Sequence, residues 1–289
     1  MGFYDVIQQW KDFDFERYFA EVTDDDVLDS IYKEKLTEYD LLNLLSPKAK
    51  NHLERMARRA QEIKTQHFGN IISLYMPIYI SNFCTNNCTY CGFSKKNHIV
   101  RKHQNLEEIE EEAKEIAKQG VEHILMLTGE AHGLVTLDYL KDAVKVLKKY
   151  FNSVSIEVMP LEEWEYKELA DIGVDGLTVY QETYDEEIYD KVHLSGKKKD
   201  YHFRLNTPER GAKAGLRTIG IGPLFGLSEI KKEAFFAGLH LKYLTDKYLN
   251  SSFAISLPRI NPAEGGFQPD HPLEERLQKM SLNIYLLNI

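Results

Sequence analysis

The three cysteines of this 289-residue chain all fall inside one short stretch, Cys84-Thr85-Asn86-Asn87-Cys88-Thr89-Tyr90-Cys91. The spacing is C-x3-C-x2-C. Thiolates are soft ligands that suit zinc, copper(I) and iron–sulfur clusters, and a four-iron cube ordinarily takes four of them. Three thiolates on a tight loop hold three corners of such a cube and leave one iron open to a small molecule. That reads as a reactive site rather than a structural one. A disulfide would leave an odd thiol, and a chain of this length needs no staple. A zinc site would draw a fourth ligand from His98 or His103, which lie in the basic run from Lys95 to Lys102. The cluster reading ranks first and the zinc reading second.

Composition narrows the setting. The chain is 43% hydrophobic and 28% charged, as expected of a globular protein, and its length suits a single α/β barrel. No apolar run approaches the ~20 residues of a membrane span, and Met1 to Asp14 lacks the basic and apolar regions of a signal peptide. Clustered cysteines and no others point to the reducing cytoplasm. The net charge of −9 disfavours nucleic acid as a substrate.

Residues 1–70 read as a helical N-terminal extension. Ser46-Pro47 has the pattern of a capping hydroxyl followed by proline at the first helical position, and Leu53, Met56, Ala57, Ala60 and Ile63 recur at helical spacing until Gly69. Residues 71–289 form a second region in which strands and helices alternate. Expected strands are Ile71 to Ser81, His123 to Thr128, Val154 to Val158, Gly176 to Tyr180, Arg217 to Gly222 and Phe253 to Leu257. Expected helices follow Asn105, whose capping box with Glu108 opens one, and cover Leu137 to Tyr150, about Glu162 onward, and Lys231 to Leu249, with a last helix-like segment from Leu273. Alternation of this kind predicts a parallel sheet of the TIM-barrel type with about six βα units, where a closed barrel has eight.

Chemistry in such folds gathers at the carboxyl ends of the strands. The first strand runs into the cysteines, the second ends in Thr128-Gly129-Glu130, the third in Glu157-Val158-Met159-Pro160 and the fourth in Tyr180-Gln181-Glu182-Thr183-Tyr184. The fifth runs into Gly220-Ile221-Gly222-Pro223 and the sixth into Pro258-Arg259. Each of these alone reads as well as a turn or a helix cap. Together they place Glu130, Glu157 and Glu182 at the cysteine end of the sheet. Three carboxylates in one pocket are costly without a cationic or donor-rich partner, which suggests a ligand carrying an ammonium group and hydroxyls.

C-x3-C-x2-C with an aromatic residue before the last cysteine resembles the radical S-adenosylmethionine superfamily. The resemblance implies that Cys84, Cys88 and Cys91 ligate a [4Fe-4S] cluster whose open iron binds S-adenosylmethionine. It implies that Tyr90 lies near the adenine, that Thr128, Gly129 and Glu130 hold the methionine amino group, and that Glu157, Gln181 and Glu182 make ribose and methionine contacts. Within the superfamily, Phe68-Gly69-Asn70, Pro77-Ile78-Tyr79-Ile80-Ser81-Asn82, Cys91-Gly92-Phe93-Ser94, Tyr180-Gln181-Glu182-Thr183-Tyr184 and Gly220-Ile221-Gly222-Pro223-Leu224-Phe225-Gly226-Leu227 are similar to the aromatic amino acid lyases. Leu127-Thr128-Gly129-Glu130 and Glu157-Val158-Met159-Pro160-Leu161 are similar to the tyrosine lyases that make 2-iminoacetate for the thiazole of thiamine.

That likeness implies L-tyrosine as substrate, Tyr79 as a residue lining its site, and products 2-iminoacetate and p-cresol. It also implies an electron donor such as flavodoxin or ferredoxin and a complex with thiazole synthase. The hydrogenase-maturation tyrosine lyases carry a second cluster on C-terminal cysteines, and no cysteine follows Cys91 here. Relatives of this kind continue through a seventh strand, with a Ser-Thr-Arg segment that binds the substrate carboxylate, and an eighth. The stretch from Leu273 to Ile289 is too short for either, so an open sheet is expected. Two other readings share the same loop: a radical enzyme acting on a different small substrate, and a cluster- or zinc-binding protein without turnover.

Overall fold

A computed structural model of the chain describes residues 2–269. It opens with four helices, α1 (Phe3–Gln9), α2 (Phe15–Glu21), α3 (Asp24–Tyr32) and α4 (Glu38–Leu45), then a 3-10 turn over Pro47–His52 and helix α5 (Leu53–Phe68). Thr23 and Thr37 start α3 and α4 by reciprocal capping with Asp26 and Asp40. Ser46 does not cap as expected. The Ala49 amide that its hydroxyl would have capped donates instead to the Ser46 carbonyl, closing the 3-10 turn, and the hydroxyl is buried without a partner.

The second part contains β1 (Met76–Ser81), the two-residue β2 (Asn87–Cys88), α6 (Leu106–Ala117), β3 (His123–Thr128), α7 (Leu137–Leu147), β4 (Ser153–Glu157), α8 (Glu163–Asp171) and β5 (Val174–Glu182). It continues with α9 (Glu186–Val192), β6 (His193–Ser195), a 3-10 turn over Lys197–Lys199, α10 (Tyr201–Leu205), α11 (Thr207–Lys213), β7 (Thr218–Pro223), α12 (Ile230–Lys247) and β8 (Ser252–Ile255). Six strands form one parallel sheet in the order β1-β3-β4-β5-β7-β8, and β2 pairs antiparallel with β6. This is a partial TIM-like barrel of six βα units. The expected segment from Leu273 lies outside the described residues.

Strand alternation sorts the side chains onto two faces. Ile78 and Ile80, Ile124 and Met126, Val154 and Ile156, Leu177 and Val179, and Ile219 and Ile221 all join one core with the apolar stripes of α6, α7 and α8. The intervening residues, Tyr79, Leu127, Glu157 and Tyr180 among them, take the opposite, concave face. The N-terminal helices are not a separate body. Phe3, Phe15 and Phe19 share a second core with Tyr184 and with Phe235 of α12.

The first strand is shorter than its composition suggested. Ile71, Ile72, Leu74 and Tyr75 are exposed, and pairing starts at Met76 opposite Ile124. The partner strand begins at His123, opposite Tyr75, so residues 71–74 have no ladder to join there. No helix among the described residues is long and apolar enough to cross a membrane.

Met126 is fully buried at the centre of β3. Met126→Ala removes a large side chain from a packed layer and is expected to cost roughly 2–5 kcal/mol in chemical denaturation. A loss below about 1 kcal/mol would contradict the packing described.

Candidate active site

The cysteine loop leaves β1 at Ser81 and is tied down along its length. Thr85 donates its amide and its hydroxyl to the Glu130 carbonyl at 3.0 and 2.9 Å, and the Thr89 amide donates to the Val192 carbonyl at 2.9 Å. Arg101 spans the loop, donating to the carbonyls of Asn82, Phe93 and Ser94 at 2.7–2.9 Å. The Asn97 side chain donates to the carbonyls of Cys91 and Gly92. The pairing of Asn87–Cys88 with His193–Ser195 fixes the middle of the loop. Two residues of strand were too short to be visible in the sequence.

All three cysteines are free thiols, Cys88 buried and Cys84 and Cys91 half-buried. Burial pushes the Cys88 thiol up to about 12 and the Cys91 thiol upward as well. Bare thiolates are therefore disfavoured here, whereas a metal that takes the thiolate charge removes that penalty. Of the two histidines that could give zinc a fourth ligand, His98 is exposed and His103 stacks on Tyr139 with ring centres 4.3 Å apart.

Beside the loop lies a buried quartet of charges. Glu130 accepts from Arg204 at 2.8 Å and from the Asn86 side chain at 2.8 Å. Glu182 accepts from Lys198 at 2.7 Å and faces Arg204 at 3.4 Å, and Lys198 lies 3.9 Å from Glu130. Burial opposes ionisation of both acids, but the two cations outweigh it and hold both carboxyls below the usual range. The cationic partner that three clustered acids called for is thus built into the chain for two of them. Sequence reasoning missed Lys198 and Arg204 because Lys197-Lys198-Lys199 reads as a solvated run. The signal was indirect: two strand-end acids require nearby bases.

Glu157 is the third acid and has no such partner among the described residues. It sits on the concave face at the end of β4, and burial together with the charge of Glu182 pushes its carboxyl up to about 7. Tyr79 and Tyr180 face the same charge, which adds to burial in raising both phenols. Tyr79 is half-exposed and meets Phe93 edge-on at 6.2 Å. Glu182 closes β5 at a register break with φ 73°, the only described non-glycine residue in that region of backbone space. Its ion pairs hold that conformation.

The remaining expected residues are placed as follows. Gln181 sits in the same register break, buried, with neither amide atom hydrogen-bonded to a described residue, and the Thr128 hydroxyl is likewise buried without a partner among the described residues. Tyr90 is buried and its hydroxyl lies 2.8 Å from His193 Nε2. His193 directs Nδ1 at the Tyr189 carbonyl and is kept neutral by burial, so Tyr90 donates to Nε2. Gly129 is required by close approach: a Cβ there would lie 2.2 Å from the Phe83 carbonyl oxygen. Arg259 is exposed beyond β8. Three free soft thiols on one braced loop, unsatisfied buried amide and hydroxyl groups at the neighbouring strand ends, and one unpaired acid form a donor set that fits an iron–sulfur cluster with a polar organic ligand.

The sequence profile of the Radical SAM superfamily matches residues 78–236. The chain is 41% identical to 2-iminoacetate synthase of Escherichia coli (strain K12) over 272 residues, covering 93% of this chain and 72% of that protein. It belongs to the radical SAM superfamily, in the family of 2-iminoacetate synthase. The Salmonella typhimurium enzyme of the same name is 43% identical over 242 residues, 83% of this radical SAM chain and 64% of the relative. The crystal structure of HydG, a maturase of the [FeFe]-hydrogenase, superposes with a TM-score of 0.89 at 27% identity, over 96% of this chain and 64% of that one. Radical SAM proteins use a [4Fe-4S] cluster and S-adenosylmethionine.

The unpaired acid gives a pH signature. In the unfolded chain a glutamate ionises near 4.5, in the fold near 7. The penalty is therefore absent below the lower value, grows between the two and is complete above the higher one. Glu157→Gln is expected to raise the melting temperature at pH 8 by up to roughly 7–14 °C, with the gain shrinking towards pH 5. A gain that is equal at both pH values would refute the assignment. Gly129→Ala is expected to lower thermal stability and, after anaerobic iron and sulfide loading, iron content per chain; an unchanged iron content would show that the Phe83 contact does not govern the loop.

Proposed function

We propose that this chain is a radical SAM tyrosine lyase that cleaves the Cα–Cβ bond of L-tyrosine to 2-iminoacetate and p-cresol for thiazole formation in thiamine synthesis. The observation that carries the reading is the braced loop with three free cysteines at the carboxyl ends of β1 and β3, beside an unpaired glutamate. The 41% identity to 2-iminoacetate synthase supports the choice of substrate. Cys84, Cys88 and Cys91 would hold the cluster. Thr128, Gly129, Glu130, Glu157, Gln181 and Glu182 would contact S-adenosylmethionine, with Tyr90 packed behind them.

When bound, the cluster and S-adenosylmethionine supply a 5′-deoxyadenosyl radical at the cost of one electron. The protein's own residues orient, charge and shield. Lys198 and Arg204 neutralise Glu130 and Glu182, so the site does not repel the carboxylate of an amino acid or of methionine. Glu157 is left to accept a hydroxyl or an ammonium group, and the bound donor would pull its carboxyl back down from 7. Tyr79 and Tyr180 line the concave face where the substrate ring lies. Removing a hydrogen atom from the substrate amine breaks the Cα–Cβ bond, leaving 2-iminoacetate and a 4-hydroxybenzyl radical. A second electron and a proton turn the latter into p-cresol. The electrons come from a one-electron carrier such as flavodoxin or ferredoxin, and 2-iminoacetate passes to thiazole synthase in the cytoplasm.

Anaerobic iron and sulfide loading, followed by dithionite, S-adenosylmethionine and L-tyrosine, should yield 5′-deoxyadenosine and p-cresol. Cys88→Ala should abolish both. Glu157→Gln should cut 5′-deoxyadenosine formation by about tenfold, the loss of one buried charge-assisted hydrogen bond. 5′-Deoxyadenosine without p-cresol would overturn the tyrosine assignment, and zinc without iron would overturn the cofactor assignment.

A further inference from the structure

We propose that the exposed face formed by Lys95, Lys96 and Lys197 over the cysteine loop is the docking surface for an acidic one-electron carrier protein. The inference rests on the reading that a cluster in this loop is reduced from outside. It adds where the reductant binds and by what chemistry.

Two basic segments far apart in sequence meet at a single residue of the cysteine loop. The Asn86 carbonyl accepts the Lys95 amide at 2.9 Å, and its side-chain oxygen accepts the Lys198 amide at 3.0 Å. Gly196 makes the second contact attainable, because with φ 102° a Cβ at this position would lie 2.2 Å from that same side-chain oxygen. Lys95 and Lys198, the neighbour of Lys197, are therefore anchored by their backbone amides to a residue lying between Cys84 and Cys88.

The three lysine side chains of the proposed face are uncommitted. Lys198 and Lys199 are engaged with Glu182 and Asp190, whereas Lys95, Lys96 and Lys197 are exposed with no acid paired to them among the described residues. Asp200, the next acid along, caps α10. Glu264 brings one acid to the border of the patch, where its carbonyl accepts the Asn97 amide. Leu194, half-exposed on β6, adds an apolar contact.

The charge contrast gives this face its selectivity. A chain of net charge −9 repels an acidic protein over most of its surface, and three unpaired lysines on a rigid support turn that repulsion into a preferred orientation. A small-molecule reductant needs no such surface, but a protein carrier must bring its redox centre close to the cysteines.

The test uses flavodoxin as the carrier and reads binding apart from turnover. The iron-loaded chain is titrated with oxidised flavodoxin by calorimetry at low and high salt. The wild type should bind with an affinity that falls with salt, and the combined Lys95→Glu, Lys96→Glu, Lys197→Glu variant should bind at least about tenfold more weakly. A control with the same charge change, Lys145→Glu, Lys148→Glu, Lys149→Glu, lies at the far end of α7 just before β4 and should bind as the wild type does. 5′-Deoxyadenosine formation should fall in the first variant with reduced flavodoxin and stay unchanged with dithionite. Equal binding by wild type and first variant, equal loss in the control, or no binding by the wild type would overturn the surface. Salt-sensitive binding lost only in the first variant, in a chain that makes no 5′-deoxyadenosine with dithionite, would support the surface and refute the cofactor chemistry instead.

Discussion

The arrangement of the site depends on a buried charge quartet, Glu130 and Glu182 with Lys198 and Arg204. Four charges removed from water are tolerable only as a complete set, because each loses several kcal/mol of hydration that its partners must offset. Completing the set forces distant parts of the chain together. Glu130 leaves β3, Glu182 leaves β5, and the two cations come from the segment after β6. Arg204 adds a bond to the Tyr180 carbonyl at 2.6 Å, and Asn86 joins Glu130 to the backbone of Lys198. The cysteine loop is thus tied through Asn86 to two members of the quartet, the Glu130 carboxylate and the Lys198 backbone. Removing either cation would leave a buried carboxylate unpaired and would loosen the loop as well.

The quartet also explains why the acids differ. Three glutamates reach the same end of the sheet, and the chain supplies cations to two. Glu157 remains unpaired beside Tyr79 and Tyr180, with a carboxyl near neutrality. The unsatisfied amide of Gln181 and hydroxyl of Thr128 lie near the ends of β5 and β3, on either side of β4. Buried polar groups without partners are rare in a folded protein, and several of them around one loop mark a place where a ligand completes the bonding. Glu182 adds a residue held at positive φ, a strained conformation that its two ion pairs maintain.

Much of this was legible in the sequence, for identifiable reasons. His123–Thr128 is legible with its observed bounds because four apolar residues end at a Thr-Gly turn, and β4, β5, β7 and β8 lie within a few residues of their expected positions. The cysteine spacing and the glutamates at the strand ends were visible as single residues at defined positions. What failed was whatever depended on a distant partner. Residues 71–74 have strand composition but lie before the start of β3, with no strand among the described residues to pair with. Ser46 has a capping hydroxyl, but the amide it would cap closes a 3-10 turn. Lys198 and Arg204 look like surface residues until the fold brings two acids to them. The ammonium-bearing ligand inferred from three acids was an answer to a charge imbalance that the chain largely corrects itself.

The central claim is that Cys84, Cys88 and Cys91 hold a four-iron cluster with one iron left open to S-adenosylmethionine. Its most direct measurement is the electron paramagnetic resonance spectrum of the anaerobically loaded, reduced protein, recorded with and without S-adenosylmethionine. A reduced [4Fe-4S] signal whose line shape changes when S-adenosylmethionine is added is the predicted result. A cluster signal that S-adenosylmethionine leaves unaltered, or a protein that retains zinc and no iron, would contradict it.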